Sequence, residues 1–185
     1  PILQSNRGCP FSCSYCCSSV KYYNKITFYS ISRVEEEIEY IAKRVKTPSI
    51  YLHDDNFGMF KQDYKICRKF KEIQKKYAWP SYICASTGKN AKKNIIKCLE
   101  LIGSCLVLSI SFQSLDEGVL KNINRTNILL SDFWDVQQRL KELDLTSLSE
   151  LIIPLPGETL KSHLEGLKAV MSYGIDTICP YTTML

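Results

Sequence analysis

Apolar runs and amphipathic stretches take turns along the whole chain. PILQSN opens in an extended pattern. A helix is predicted from Ser32, with Glu35 three residues on as a capping-box partner, and Val34, Ile38, Ile41 and Val45 recur at helical spacing up to Pro48. SIYLHDD reads as a second strand, Ile66, Phe70, Ile73 and Tyr77 as a second helix, and SYICAS as a third strand. Ile95, Leu99 and Ile102 mark the next helix, stopped by Gly103 as a left-handed cap. CLVLSISF is apolar enough to predict a strand buried on both faces. A short helix over 119–123 and a longer one carrying Phe133, Val136, Leu140 and Leu143 lead to the strand SELIIPLP. Leu160, Leu164, Leu167 and Met171 then mark a helix ending at Gly174, and DTICPYTTM begins a sixth strand. This alternation predicts an α/β fold with a parallel sheet; periodicity leaves a doubly wound sheet and a barrel both open.

Composition narrows the class. With 185 residues, 45% hydrophobic and 23% charged, the chain suits one globular domain with a sizeable core. No run of about 18 apolar residues predicts a membrane span, and no signal peptide opens the chain. It starts at Pro1 and stops at Leu185 inside a strand pattern, so 1–185 reads as one domain of a longer protein. The net charge of +5 is mild, and its densest stretches, KICRKFKEIQKK and GKNAKKNIIK, interleave with apolar residues at helical spacing. Solvated helix faces are the favoured reading of these, ahead of a nucleic-acid patch. Cys67, Cys84, Cys98, Cys105 and Cys179 are scattered through apolar stretches and read as reduced core thiols, which points to a reducing, cytoplasmic compartment.

The remaining cysteines carry the chemistry. RGCPFSCSYCC sets Cys9, Cys13 and Cys16 in a C-x3-C-x2-C spacing on one short loop. Soft thiolates select iron–sulfur clusters or zinc, and such sites normally take four protein ligands. Three ligands would leave one iron of a cluster open to bind something else. A zinc knuckle without its histidine and a disulfide-bearing loop are the structural alternatives. Cys17 falls outside the spacing and reads as a neighbour. Polar groups also gather where strands end: His53, Asp54, Asp55 and Asn56 after the second, Gln113 and Ser114 after the fourth, and LPGET after the fifth. In a barrel these ends form the active-site face.

The cysteine spacing, with the aromatic Tyr15 before the last cysteine, resembles the signature of the radical S-adenosylmethionine (SAM) enzymes. The resemblance extends over nearly the whole chain and implies a partial (β/α)6 barrel of the TIM-like type. It implies that Cys9, Cys13 and Cys16 hold a [4Fe-4S] cluster whose open iron chelates SAM. Reductive cleavage of SAM would then give a 5′-deoxyadenosyl radical for oxidoreductase or methyltransferase chemistry. DDNF stands where the family binds SAM's amino group, so Asp54 or Asp55 inherits that role. FQSLDEGVLKNINRTN is similar to the segment that reaches SAM's ribose and carboxylate, which implies Gln113, Ser114 and Arg125; Tyr15 belongs with this cofactor-binding set. ELIIPLPGET is similar to the element flanking adenine, which implies Ile153 and Leu155, with Pro154 departing from the usual glycine. The combination is most similar to the cobalamin-dependent branch, which implies cobalamin on a domain outside this chain and an electron donor such as flavodoxin or ferredoxin. RNA-modifying members and a non-catalytic iron–sulfur barrel are the alternatives. His53 and His163 receive no role, and His163 is expected to be exposed on its helix.

Overall fold

The computed structural model describes residues 1–88 and 92–183. In chain order the elements are β1 (Ile2–Leu3), β2 (Asn6–Arg7), β3 (Thr27–Phe28), α1 (Ile31–Ala42), β4 (Ser49–Phe57), α2 (Lys61–Tyr77), β5 (Tyr82–Thr87) and α3 (Lys92–Ile102). They continue with β6 (Leu106–Ser109), α4 (Glu117–Asn122), α5 (Leu130–Glu142), β7 (Leu148–Ile153), α6 (Leu160–Ser172) and β8 (Thr177–Thr182). Six strands form one parallel sheet in the order β1-β4-β5-β6-β7-β8, while β2 and β3 pair antiparallel beside it. Spatial order follows chain order without a reversal. A doubly wound sheet reverses at a switch point, so the choice left open by periodicity falls to the partial barrel.

The helices cover one face of this sheet. Ile50, Leu52, Ile83 and Ala85 meet Val34 and Ile38 of α1, Ile66, Phe70 and Ile73 of α2, and Ile95 and Leu99 of α3, in one buried core that continues into Phe133 and Val136 of α5. The other face stays open. Along β4, Ile50, Leu52, Asp54 and Asn56 are buried while Tyr51, His53 and Asp55 are exposed, which is the period-two signature of a half-covered strand. CLVLSISF is therefore not buried on both faces: its regular strand stops at Ser109, and Val107 and Ser109 are only half-buried on the open side. The sheet curls around that side, so the uncovered face is the interior of an incomplete barrel.

Three further expectations change in detail. PILQSN is not one strand, because the chain turns at Ser5 and hands Asn6–Arg7 to the β2–β3 ribbon. The cap of α1 is Ser30, whose hydroxyl accepts from the Arg33 amide; Ser32 already lies in the first turn, and Val45 lies past the helix end. His163 is not exposed, since its Nδ1 sits 3.2 Å from Glu158 Oε1 with little solvent access to either side chain. Gly103 does take the left-handed conformation, at φ +69°. None of the nine cysteines is in a disulfide, and Cys67, Cys98 and Cys105 are buried. The basic stretches engage in ion pairs: Lys69 and Lys76 converge on Glu39, and Lys92 lies 2.7 Å from both Asp132 and Asp135. Residues 89–91 of GKNAKKNIIK and the Met184 end of DTICPYTTM lie outside the described residues. Among the described residues no helix is long and apolar enough to cross a membrane.

Candidate functional site

A cavity of about 210 Å³ opens at the C-terminal ends of the strands. Cys9, Cys13 and Cys16 line it, together with Tyr15, Asp55, Gln113 and Arg125. The cysteine loop owes its shape to backbone anchors. The Cys9 amide donates to the Tyr23 carbonyl at 2.9 Å, the Ser14 amide donates to Ile123 O at 2.9 Å, and the Cys16 amide closes a turn on Cys13 O at 3.1 Å. Asn124 clamps the loop from the end of α4, its Nδ2 donating to Ser12 O and Ser12 Oγ. Gly8, immediately before Cys9, has φ +98°.

Arg125 braces the same loop from the opposite wall. Its Nη1 donates to the Tyr15 hydroxyl at 2.8 Å, its Nε to Asn127 Oδ1 at 2.8 Å, and its Nη2 to the Ser111 carbonyl. Nη1 also donates to Cys13 Sγ at 4.0 Å, so of the five N–H groups of the guanidinium one, on Nη2, remains for a ligand. Burial pushes the Tyr15 phenol well above its ordinary pKa, against the opposing pull of Arg125, so this hydroxyl stays neutral. Gln113 reaches the cavity through an unusual backbone. With φ +66° it sits in the left-handed region that side chains other than glycine rarely adopt, pinned by its amide on Glu150 O and its carbonyl on the Ile152 amide. Its buried Oε1 has no hydrogen-bond partner among the described residues, and neither has the buried hydroxyl of Thr87, which lines the same cavity. Buried polar atoms left this way carry a desolvation cost unless a ligand meets them.

The residues implied by resemblance divide into those that reach this cavity and those that do not. Cys9, Cys13, Cys16, Tyr15, Asp55, Gln113 and Arg125 line it. Asp54 does not: it is 2% exposed on the helix side of β4, and its carboxylate accepts from the Ser5 amide at 2.7 Å, the Ser5 hydroxyl and the Asn6 amide. It holds the turn between β1 and β2. Ser114 also faces away, accepting from the Asp116 amide, while Ser111 lines the cavity in its stead. Leu155 is buried in a small cluster with Val119 and Ile123 against which Tyr15 packs, so it supports the cysteine loop from beneath. Ile153 faces the α6 side, in a groove with His163 and Leu167. Cys17 is exposed and His53 lies in a neighbouring cleft that shares Asp55 and Ser18 with the cavity.

Sequence reasoning missed several lining residues. Asn56 stands beside Cys9, its Nδ2 donating to the sulfur at 3.3 Å. Ser86, Ser109 and Ser111 supply a small polar floor, and Phe11 and Ile128 an apolar wall. The signal for Ser109 and Ser111 was the S-I-S of CLVLSISF, where small polar residues take alternate places in an otherwise apolar strand.

Among the described residues no three His, Cys, Asp or Glu side chains are gathered closely enough for a single metal ion. Three soft thiols lining one cavity suit an iron–sulfur cluster, which Cys9, Cys13 and Cys16 would hold. The soft donor set, the unpartnered amide oxygen of Gln113 and the remaining Nη2 N–H of Arg125 fit a cluster carrying an amino-acid-like ligand.

Comparison with known proteins adds the family. The model of the radical SAM superfamily matches residues 3–170. The cobalamin-dependent radical SAM methyltransferase TokK of Streptomyces tokunonensis is 28% identical over 176 residues, which cover 94% of this chain and 26% of that protein. The 2-(S-pantetheinyl)-carbapenam-3-carboxylate methyltransferase of Streptantibioticus cattleyicolor gives the same identity and coverage. The chain thus spans about a quarter of the length of these curated relatives. Among solved structures, the radical SAM methyltransferase TsrM of Kitasatospora setae, with cobalamin and [4Fe-4S] cluster bound, superposes with a TM-score of 0.81 at 13% identity, over 98% of this chain and 34% of that one. Coproporphyrinogen III oxidase of Escherichia coli gives 0.69 at 15% identity, over 99% and 44%. At such identities it is the fold that is shared.

Proposed function

The chain belongs to the radical SAM superfamily, and from that membership we propose that it is the catalytic core of a cobalamin-dependent methyltransferase whose cluster is held by Cys9, Cys13 and Cys16. The methyltransferase part of this reading rests on the two 28%-identical relatives. The residue assignment rests on one observation: three thiols and a braced arginine line a single cavity at the strand ends.

The cluster, once bound, supplies the electron that breaks SAM's sulfonium. Everything else falls to the chain. Asn56 Nδ2, 3.3 Å from Cys9 Sγ, donates to the thiolate and orients it. Asp55, exposed into the cavity and steadied by the Ser18 hydroxyl at 3.2 Å, pairs with the amino group of SAM. Arg125 meets the carboxylate with its remaining Nη2 N–H, and because its bonds to Asn127, Tyr15, Ser111 and Cys13 fix its plane it loses little entropy in doing so. Gln113 Oε1 accepts from a ribose hydroxyl or the amino group, which relieves its unpartnered burial. Phe11 and Ile128 keep water from the reacting end, as radical chemistry requires. The electron comes from a separate donor protein such as flavodoxin or ferredoxin, and cobalamin from a domain outside these residues.

Anaerobic reconstitution tests this reading. The chain should take up one cluster, its spectrum should change on adding SAM, and a strong chemical reductant should yield 5′-deoxyadenosine detectable by mass spectrometry. Cys13→Ala should abolish the product. A Cys9, Cys13, Cys16 triple alanine variant that kept a full cluster would overturn the assignment.

A further inference from the structure

The open face of the sheet carries a feature that the cofactor site does not use. Tyr51 pairs in register with Cys84, Glu150 with Cys179 and Ile152 with Tyr181, and all six side chains point to the uncovered, concave side. Among the described residues of β5 to β8 on this side, Glu150 is the one carboxylate. It lies next to the cavity, since its Oε2 accepts from the hydroxyl of Ser111 at 2.5 Å and Ser111 is itself part of the cavity floor. Its charge is felt across the concavity: the Tyr181 phenol is pushed up chiefly by Glu150. Burial, with Glu150 second, does the same to Cys84.

A half-buried carboxylate with no lysine or arginine bonded to it is costly to keep there for stability alone. None of the ion pairs in the described residues includes Glu150. Its surroundings suit one kind of partner. Tyr181 presents an exposed ring on the neighbouring β8 and Tyr51 another from β4 across the concavity, and aromatic faces near a carboxylate recognise an organic cation. An anionic or purely apolar molecule would leave Glu150 facing like charge or losing its water without return.

We propose that the concave face is the substrate wall and that Glu150 selects a small substrate bearing a protonated amine, whose ammonium pairs with the carboxylate while its body lies along the tyrosine rings. The inference rests on the cofactor reading above, because the shared Ser111 is what brings a molecule on this wall within reach of SAM. It goes beyond that reading by naming the charge of the substrate. No bond is made or broken at Glu150; it is a binding and positioning residue.

Three probes of similar shape test the charge: 2-phenylethylamine, 2-phenylethanol and 3-phenylpropionate, titrated calorimetrically into the cluster-loaded chain at pH 7. The amine should bind about tenfold or more tightly than the alcohol, a difference of about 1.4 kcal/mol, and the propionate weakest. Glu150→Gln should erase the preference for the amine over the alcohol. Glu150→Lys should invert the order and favour the propionate, an outcome that general damage to the fold would not produce. No discrimination by the parent chain, binding of none of the probes, or an amine preference that survives Glu150→Gln overturns the proposal. Cys13→Ala separates the two readings. Amine preference retained in that variant, with cleavage of SAM lost, keeps both. Normal SAM cleavage by a parent chain indifferent to the amine removes Glu150 and leaves the cofactor site standing, and amine preference without a cluster or cleavage does the reverse.

Discussion

Two adjacent carboxylates with opposite fates illustrate what single residues do here. Asp54 and Asp55 are consecutive on β4, so the pleat sends one under the helices and the other into the cavity. The buried one spends its oxygens on Ser5 and Asn6; burial raises its pKa, and those hydrogen bonds oppose the rise. Asp63 is a third carboxylate in the same region, fully buried at the start of α2. Its Oδ2 accepts from the Gly58 amide at 2.8 Å and the Phe60 amide at 2.9 Å, while Oδ1 has no partner among the described residues. Burial pushes its pKa up to about 7, with the hydrogen bonds opposing and Asp54 adding to the rise. A carboxyl whose pKa is higher folded than unfolded binds its proton more tightly in the folded state. The contribution of Asp63 to stability is therefore greatest at low pH and falls as pH rises from about 4 to about 7, by at most about 1.4 kcal/mol per unit. Asp63→Asn keeps an acceptor for both amides and cannot ionise. Urea unfolding at pH 5 and pH 7 should show a loss between the two for the parent and a clearly smaller loss for Asp63→Asn; equal losses would remove Asp63 as the cause.

At the scale of elements, the cysteine loop is only as good as the ribbon it leans on. Gly8 lies where β2 hands over to the loop, and a Cβ on it would meet Lys25 O at 2.5 Å and Tyr23 O at 2.6 Å. Both are backbone atoms, and φ +98° is strained for any other residue. Gly8→Ala should therefore displace the loop from Tyr23, lowering iron and sulfide content per chain severalfold after reconstitution while the far-UV circular dichroism keeps its helical shape. Full cluster content in Gly8→Ala would show that the ribbon does not set the ligand geometry. The same scale explains what the sequence made legible. Helices α1, α2, α3, α5 and α6 and the six strands followed from periodicity, because each buries one stripe or face, and the cysteine spacing is local enough to read directly. Which way a strand-end residue points was not legible. Between Leu52 and Phe57 the pairing of β4 with β5 shifts register, and at Gln113 a left-handed residue reverses the count, so Ser111 rather than Ser114 reaches the cavity. The turning of Ile153 toward the α6 groove depends likewise on how the sheet curls, which no local pattern encodes.

For the molecule as a whole, the cavity joins strand ends to loops that lie far apart in the sequence. Its lining comes from the cysteine loop, the ends of β4, β5 and β6, and the segment after α4 that carries Arg125. β6 and β7 are tied by a single residue pair in regular register, Ser109 with Leu148, before the Gln113–Leu151 bridge resumes the contact. A ligand held at once by Asp55, Gln113 and Arg125 would tie the end of β4 to the segments after β6 and α4, so its binding must be felt in global unfolding rather than in the loop alone. Linkage sets the size: a ligand at a hundred times its Kd that binds only the folded state adds about 2.7 kcal/mol. For a domain of this length that corresponds to a rise in Tm of about 5 to 10 °C. Anaerobic thermal unfolding of the cluster-loaded chain should thus shift upward with saturating SAM, and the shift should vanish in Cys13→Ala, where the open iron is lost. A shift of equal size in that variant would mean that SAM is held by the polar residues without the cluster. No shift in a loaded chain would mean that the three walls do not close on SAM together.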